Sequence, residues 1–158
     1  MRSIFLTLCA VIFTSFAAGG ADAQSSRTSV SGAEVTGTFR MAFTGKFKDS
    51  SNEIQIAALG HGKLHIAMEL LYPYVVRGEM SANMGSLDGE ATIEGDTAVY
   101  SSTEFGECTI TIKFVKPGTI SVSQDGTDSN CGFGHNVMAD GTYKKVSSTK
   151  PKFESPEQ

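Results

Sequence analysis

The chain has no excess of basic residues and none of the local motifs that commonly mark an active site. Its 158 residues include 13 Lys and Arg against 17 Asp and Glu, a formal net charge of -4, and no basic cluster. A nucleic-acid partner is therefore disfavoured. The chain also lacks a G-x-S-x-G nucleophile elbow and a C-x-x-C redox pair. We predict that the protein is not an enzyme and carries no cofactor.

Histidine is scarce, and the three histidines do not share the spacing of a metal site. His61 falls in a predicted turn, His65 on the polar face of a predicted strand, and His135 in a distant loop. Along a strand, positions 61 and 65 are about 13 Å apart. The polar segment 125–130 does not match the EF-hand template, and a turn rich in Asp, Gly and Asn needs no ion. We predict no metal site.

The beginning of the chain has the features of a secretory signal peptide. Arg2 gives a positive start, an apolar run extends from Ile4 to Ala18, and Ala21-Asp22-Ala23 is an A-x-A cleavage site. The apolar run of about 15 residues is shorter than the roughly 20 that a membrane-spanning helix needs. We therefore predict that residues 1–23 are removed on export, that the mature protein is periplasmic or secreted, and that it has no stable membrane insertion.

The two ends of the mature chain lack an apolar period. The segment 24–32 is polar, and the segment 148–158 carries two prolines and several charges. Such compositions are typical of chain ends that do not pack. We predict a flexible N-terminal segment at 24–32, a folded domain at 33–147 and a disordered tail at 148–158.

Cysteine use indicates one disulfide. Cys9 lies within the predicted signal peptide, which leaves Cys108 and Cys131 in the mature chain. An exported protein meets an oxidising environment, and two cysteines are too few for a structural zinc site. We predict that Cys108 and Cys131 are bonded to each other.

Apolar residues alternate with polar ones along the mature chain, and this period of two is typical of half-buried strands. Pairs of alternating segments around turn residues predict three hairpins, with Pro117-Gly118 suited to a type II turn. The paired segments are 54–58 with 64–70, 91–93 with 98–100, and 108–114 with 120–122. A last strand follows the turn signal Asp140-Gly141.

The first and last predicted strands carry similar tetrapeptides, Gly37-Thr38-Phe39-Arg40 and Gly141-Thr142-Tyr143-Lys144. If these strands pair, the sheet closes on itself and leaves no long unprotected edge. We therefore predict an all-β fold, a small antiparallel barrel of about eight strands that is closed or nearly closed. A two-sheet β-sandwich is the alternative, because periodicity does not distinguish the two.

The segment 131–137 is a candidate partner-binding loop. Gly132 and Gly134 flank Phe133 directly after a bonded cysteine, and His135 and Asn136 follow. In one interpretation Phe133 plugs an end of the barrel, since such aromatics are usually buried. In the other, the disulfide preorganises a protruding loop that offers Phe133, His135 and Asn136 to a partner.

The segment 70–76 is a second candidate. Its apolar run is interrupted by Pro73, which predicts an edge strand or a loop. Tyr72 and Tyr74 then form part of an exposed aromatic patch that could bind a partner, with core packing as the alternative interpretation.

The signal peptide, the segments Gly89-Glu90-Ala91-Thr92-Ile93 and Ala98-Val99-Tyr100, the predicted disulfide and the closing Asp140-Gly141-Thr142-Tyr143 together resemble small exported bacterial barrel proteins. Among these the chain is loosely similar to the periplasmic lysozyme inhibitors. The S-G-x-x-Y loop that the C-type class inserts into the lysozyme cleft has no counterpart here, so no inhibitory residue is carried over.

This resemblance implies a binding protein that acts outside the cytoplasm through loop contacts, with a lysozyme or another exported protein as its partner. The net negative charge would suit a basic target. The alternative is a small-molecule carrier that holds an apolar ligand inside the barrel, and the volume of the interior distinguishes the two functions.

Overall fold

The computed structural model describes residues 29–153, of which most lie in eight antiparallel strands. The predicted signal peptide at 1–23, residues 24–28 of the predicted flexible segment and residues 154–158 lie outside the described residues. The strands are β1 (Gly37–Ala42), β2 (Ser51–Gly60), β3 (Lys63–Val76), β4 (Glu79–Glu94), β5 (Thr97–Ser102), β6 (Cys108–Lys116), β7 (Thr119–Asp125) and β8 (Gly141–Ser147). A short helix α1 (Gly32–Val35) precedes β1, and a 3-10 turn (Gly45–Phe47) lies between β1 and β2.

The sheet closes into a barrel. Each strand pairs with the next along the chain, and β8 returns to pair with β1. The closing register joins Phe39 to Lys145 and Arg40 to Lys144, so the two similar tetrapeptides lie on neighbouring strands. The prediction of a closed barrel is confirmed, and the sandwich alternative is wrong.

The three predicted hairpins are confirmed as the pairs β2–β3, β4–β5 and β6–β7. The β6–β7 turn is Pro117-Gly118, where Gly118 has a φ of 69°. A type II turn requires a positive φ at this position, and glycine adopts it without strain.

Side chains of the inward rows fill the barrel. Phe39 and Phe114 meet edge to face across it, with ring centroids 6.3 Å apart. The alternation read from the sequence places these rows inside, because successive residues of a strand point to opposite faces. The largest fully buried side chains are Phe39, Ile54, Ile56, Leu64, Ile66, Met68, Leu70, Ile110, Ile112, Phe114, Ile120 and Tyr143.

Helix α1 covers one end of the barrel, which we call the helix end. The Ser31 hydroxyl accepts the backbone N–H of Glu34 at 3.2 Å and begins the helix, while Val35 is buried. The ammonium of Lys145 donates to three backbone carbonyl oxygens at the end of α1, and burial lowers the pKa of this lysine. Part of the segment predicted to be flexible, residues 29–31, therefore leads into an anchored helix.

The described part of the predicted tail lies against the barrel. Phe153 stacks on His65 of β3, with ring centroids 3.8 Å apart and planes within 13° of parallel. Lys152 and Phe153 line a hollow of about 340 Å³ on the outer face of β2, β3 and β4. The prediction of a disordered tail from residue 148 does not include this contact. Composition alone does not indicate that an aromatic ring in the tail stacks on a side chain of a strand.

Candidate functional site

Two strands extend beyond the end of the barrel opposite α1. The β2–β3 register stops at Glu53 and Glu69, whereas the β3–β4 register continues to Val76 and Glu79. Asn52 marks the point of departure, because its carboxamide oxygen accepts the backbone N–H of Leu71 at 2.8 Å. Residues 71–84 therefore form a two-stranded ribbon, which we call the arm.

Pro73 lies inside the arm rather than ending a strand. It is paired with Ala82 of β4 on one side, and β2 no longer covers β3 on the other side. Proline is tolerated there because an edge strand needs no donor on its open side. The predicted edge strand is confirmed and the predicted loop is wrong.

The inner face of the arm continues the inward rows of the barrel and carries Tyr72 and Tyr74. Tyr72 is 42% exposed, and its ring centroid lies 6.5 Å from that of Tyr74, which is half-buried. The expectation that this segment shows aromatic side chains at the surface is met for Tyr72. Whether a partner binds there remains a prediction.

Two connections stand beside the arm, residues 103–107 and 126–140, and we call them the rim. They contain four carboxylates and no Lys or Arg. The disulfide between Cys108 and Cys131, with the Cα atoms 5.0 Å apart, ties the second connection to the start of β6 and confirms the predicted pairing. The carboxamide of Asn130 also donates to the backbone oxygen of Glu107 at 3.2 Å.

Asp128 organises the part of the rim that carries His135 and Asn136. Its carboxylate accepts the backbone N–H groups of Ser129 at 2.7 Å and of Asn136 at 2.6 Å. These two bonds are the main reason why the pKa of Asp128 lies below its usual value. The bond to Asn136 also supports that residue's left-handed backbone, with a φ of 62°. The side chain of His135 is 83% exposed, so both residues are presented to solvent on a fixed loop.

Phe133 is buried, which decides between its two predicted roles. Its side chain is 6% exposed and belongs to the hydrophobic core. It packs directly on Gly85 of β4, where an added Cβ would come within 2.8 Å of the ring. The prediction that Phe133 is exposed to a partner is therefore wrong. Its ring packs into the core at this end of the barrel, which agrees with the interpretation that Phe133 plugs that end.

Hydrogen bonds join the arm to the rim. The backbone N–H of Gly134 donates to the Met84 oxygen at 2.9 Å, and the Asn83 carboxamide donates to the His135 oxygen at 2.6 Å. Tyr72 lies directly across the β3–β4 ladder from Asn83. The structure thus brings Tyr72, from one predicted site, beside the loop of His135, from the other. We call the inner face of the arm together with the rim the binding surface.

Phe105 is an exposed aromatic residue of the rim that no sequence motif identifies. It is 64% exposed and lies over Gly132, where an added Cβ would come within 2.8 Å of the ring. Its position depends on the disulfide, which brings Gly132 to the start of β6. The sequence signal for its exposure was its position between two glutamates, Glu104 and Glu107.

Within residues 29–153, no three His, Cys, Asp or Glu side chains are grouped so that they could hold a metal ion. The hollows that the structure outlines there lie at the surface and at the ends of the barrel, and one of about 120 Å³ reaches Leu87 and Cys108 of the core beside Phe105. The large apolar side chains of the inward rows occupy the interior. No helix in this part of the chain is long and apolar enough to cross a membrane.

Comparison of the chain with protein-family models, with curated proteins and with solved structures finds no match. The function must therefore be argued from the residues of the binding surface.

Proposed function

We propose that this chain is an exported, non-enzymatic binding protein that recognises a basic exported protein through the binding surface, with a lysozyme as the first candidate. The observation that carries the proposal is the composition of the rim. The rim contains four carboxylates without a compensating Lys or Arg, and it carries an aromatic side chain, Phe105, that is 64% exposed.

Exposed aromatic side chains at the centre of a contact supply much of the binding free energy at protein interfaces. Phe105 and Tyr72 are the aromatic side chains of the binding surface that are most exposed. The carboxylates of the rim would attract a cationic partner and speed its association, an effect that salt screens.

The binding surface is held in place before a partner arrives. The disulfide, the carboxylate of Asp128 and the bond from Asn83 to the His135 oxygen fix the rim relative to the barrel. A preorganised loop loses little conformational entropy on binding, which favours affinity. The same fixed geometry presents His135 and Asn136 as polar contacts at the margin.

A lysozyme is the first partner to test for two reasons. The sequence is loosely similar to the periplasmic lysozyme inhibitors, and the rim has the charge that a basic protein would complement. Another basic exported protein is the next candidate. The carrier alternative receives no support from the barrel interior, which core side chains fill.

The charge of the rim is tested by a matched pair of reversals, Glu104→Lys in the rim and Glu94→Lys at the helix end. Both side chains are exposed and both variants change the net charge equally. With an immobilised C-type lysozyme, Glu104→Lys should lower the association rate by about tenfold at low salt. Glu94→Lys should change it much less.

The contact residues are tested in the same assay. Phe105→Ala and Tyr72→Ala should each weaken binding by about tenfold or more, and His135→Ala with Asn136→Ala should weaken it less. Far-ultraviolet circular dichroism checks that each variant is folded. If neither lysozyme nor any basic exported protein binds the wild type, or if the Glu104 and Glu94 reversals act alike, the proposal fails.

A further inference from the structure

The outer face of the arm, opposite to the binding surface, is apolar over its full length. Three cross-strand pairs make up this face: Leu71 with Met84, Pro73 with Ala82, and Val75 with Met80. Met84 is 63% exposed, Met80 is 62% exposed and Val75 is 40% exposed. Adjoining apolar side chains that are exposed to water favour association when a partner covers them.

Charges of opposite sign stand at the two ends of this face. Glu69, the next outward residue of β3 below Leu71, is at the base, and Arg77 is in the turn at the tip. Both are exposed, and neither forms an ion pair within residues 29–153. Lys152 lines the same hollow as Glu69.

We propose that the outer face of the arm binds the same face of a second copy of this chain in a two-fold symmetric, antiparallel contact. The tip of each arm then lies over the base of the other, so that Arg77 of one copy meets Glu69 of its partner. The two outer apolar pairs face each other, and the pair of Pro73 and Ala82 lies on the symmetry axis. Such a contact is self-complementary, as an isologous interface requires.

Pro73 favours a contact between the outer faces of two arms over hydrogen bonding between the open edges of their β3 strands. It removes the backbone donor in the middle of the open edge of β3, so a second strand cannot extend the sheet there without losing a hydrogen bond. The flexible side chains of Met80 and Met84 adapt to one another across a face-to-face contact. The expected product is therefore a closed dimer and not a growing sheet.

The size of the face sets the strength of the contact. Three rows on two strands cover about 20 Å by about 10 Å, or roughly 200 Å² for each copy. The roughly 400 Å² of the pair is well below the 1,200 Å² or more of a stable interface. The dimer should therefore be weak and should dissociate on dilution. Its contact leaves the binding surface free, so this inference does not rest on the proposed function.

Sedimentation equilibrium of the chain from Gln24 onward tests the proposal. The average mass should rise from monomer towards dimer, and no further, as the concentration increases. Met80→Ser with Met84→Ser should weaken the association by at least about tenfold, since one apolar side chain in each of the two outer pairs becomes polar. Leu59→Ser with Val146→Ser is the matched control, because both side chains are about half exposed, at 47% and 52%, and lie off the arm.

A charge swap tests the antiparallel geometry. Arg77→Glu alone and Glu69→Arg alone should each weaken the dimer, and the two together should restore it, because the swapped charges again meet across the axis. A monomer at every concentration, open-ended assembly or a double swap without rescue would overturn the proposal. So would a monomer that binds neutral phosphatidylcholine vesicles through Met80 and Met84. Lysozyme binding by the Met80 and Met84 variant reports separately on the proposed function.

Discussion

Removal of the disulfide should lower the free energy of unfolding. Cys108 and Cys131 are 23 residues apart in the chain, so their bond closes a loop that restricts the unfolded chain. In the chain-entropy treatment, a loop of this length lowers the entropy of the unfolded state by roughly 11 cal/mol/K, which is about 3.4 kcal/mol at 25 °C. The variant Cys108→Ala with Cys131→Ala should lose about this much unfolding free energy.

The folded state contributes little to this difference. Cys108 is buried in the core at the start of β6, and alanine there removes a sulfur atom without leaving a polar group unsatisfied. The cavity adds at most about 1 kcal/mol to the loss. Equilibrium urea unfolding followed by circular dichroism measures the change, with thiol titration of the denatured wild type as the control for bond formation.

A loss below about 1 kcal/mol in protein that has no free thiols would refute the reasoning, because the restriction of the unfolded chain would then be offset in the native state. The same variant has a second readout. Since the bond ties the rim to β6, amide hydrogens of residues 126–136 should exchange faster, while those of β2 and β3 should change much less.

Two further predictions concern the core at the arm end. Gly85→Ala should destabilise the fold by about 1–3 kcal/mol in urea unfolding, because the new Cβ would overlap the ring of Phe133. Gly32→Ala is the control, because a Cβ there would lie 3.6 Å from its nearest neighbour and has room. An equal effect at both positions would contradict this packing. Burial raises the pKa of Tyr143 to about 12, while its hydroxyl donates to the Ala139 oxygen at 2.9 Å. Since the folded-state pKa exceeds the ordinary value of 10.0, the contribution is fully present below pH 10 and is lost as the pH rises towards 12. Unfolding free energies of wild type and Tyr143→Phe should therefore converge over that range, and a constant difference would count against it.

The strands and their pairing were largely predictable from local pattern. Alternation of apolar residues around Gly60 to Gly62 and around Pro117-Gly118 identified hairpins that the structure contains. Pairing of the first and last strands was predictable from their similar tetrapeptides, because an unpaired edge is unfavourable in a small all-β protein. The disulfide followed from cysteine number and the predicted export.

The arm was not predictable from the sequence, although Pro73 marks the segment that forms half of it. Pro73 indicated an edge or a loop, but whether β3 continues past β2 depends on where the neighbouring strand begins. Asn52 lies at that point and accepts the Leu71 backbone N–H from a different strand. Contacts between distant residues of this kind leave no periodic signal in a single sequence.

The residues of the binding surface were only partly predictable. Tyr72, His135 and Asn136 were identified individually, whereas Phe105 was not. The burial of Phe133 could not be decided from the sequence, because Gly132 and Gly134 permit both a protruding loop and a tight one.

By itself, the sequence determined the alternation of inward and outward side chains, the turns and the covalent link, since each depends on residues close together in the chain or on simple counting. Only the tertiary structure decided that β3 and β4 extend beyond the end of the barrel, that Phe133 faces the core and that Tyr72 lies beside the loop of His135. The physical reason is that these features depend on which surfaces remain uncovered once eight strands have closed. Closure is a property of the whole sheet and not of any one of its strands.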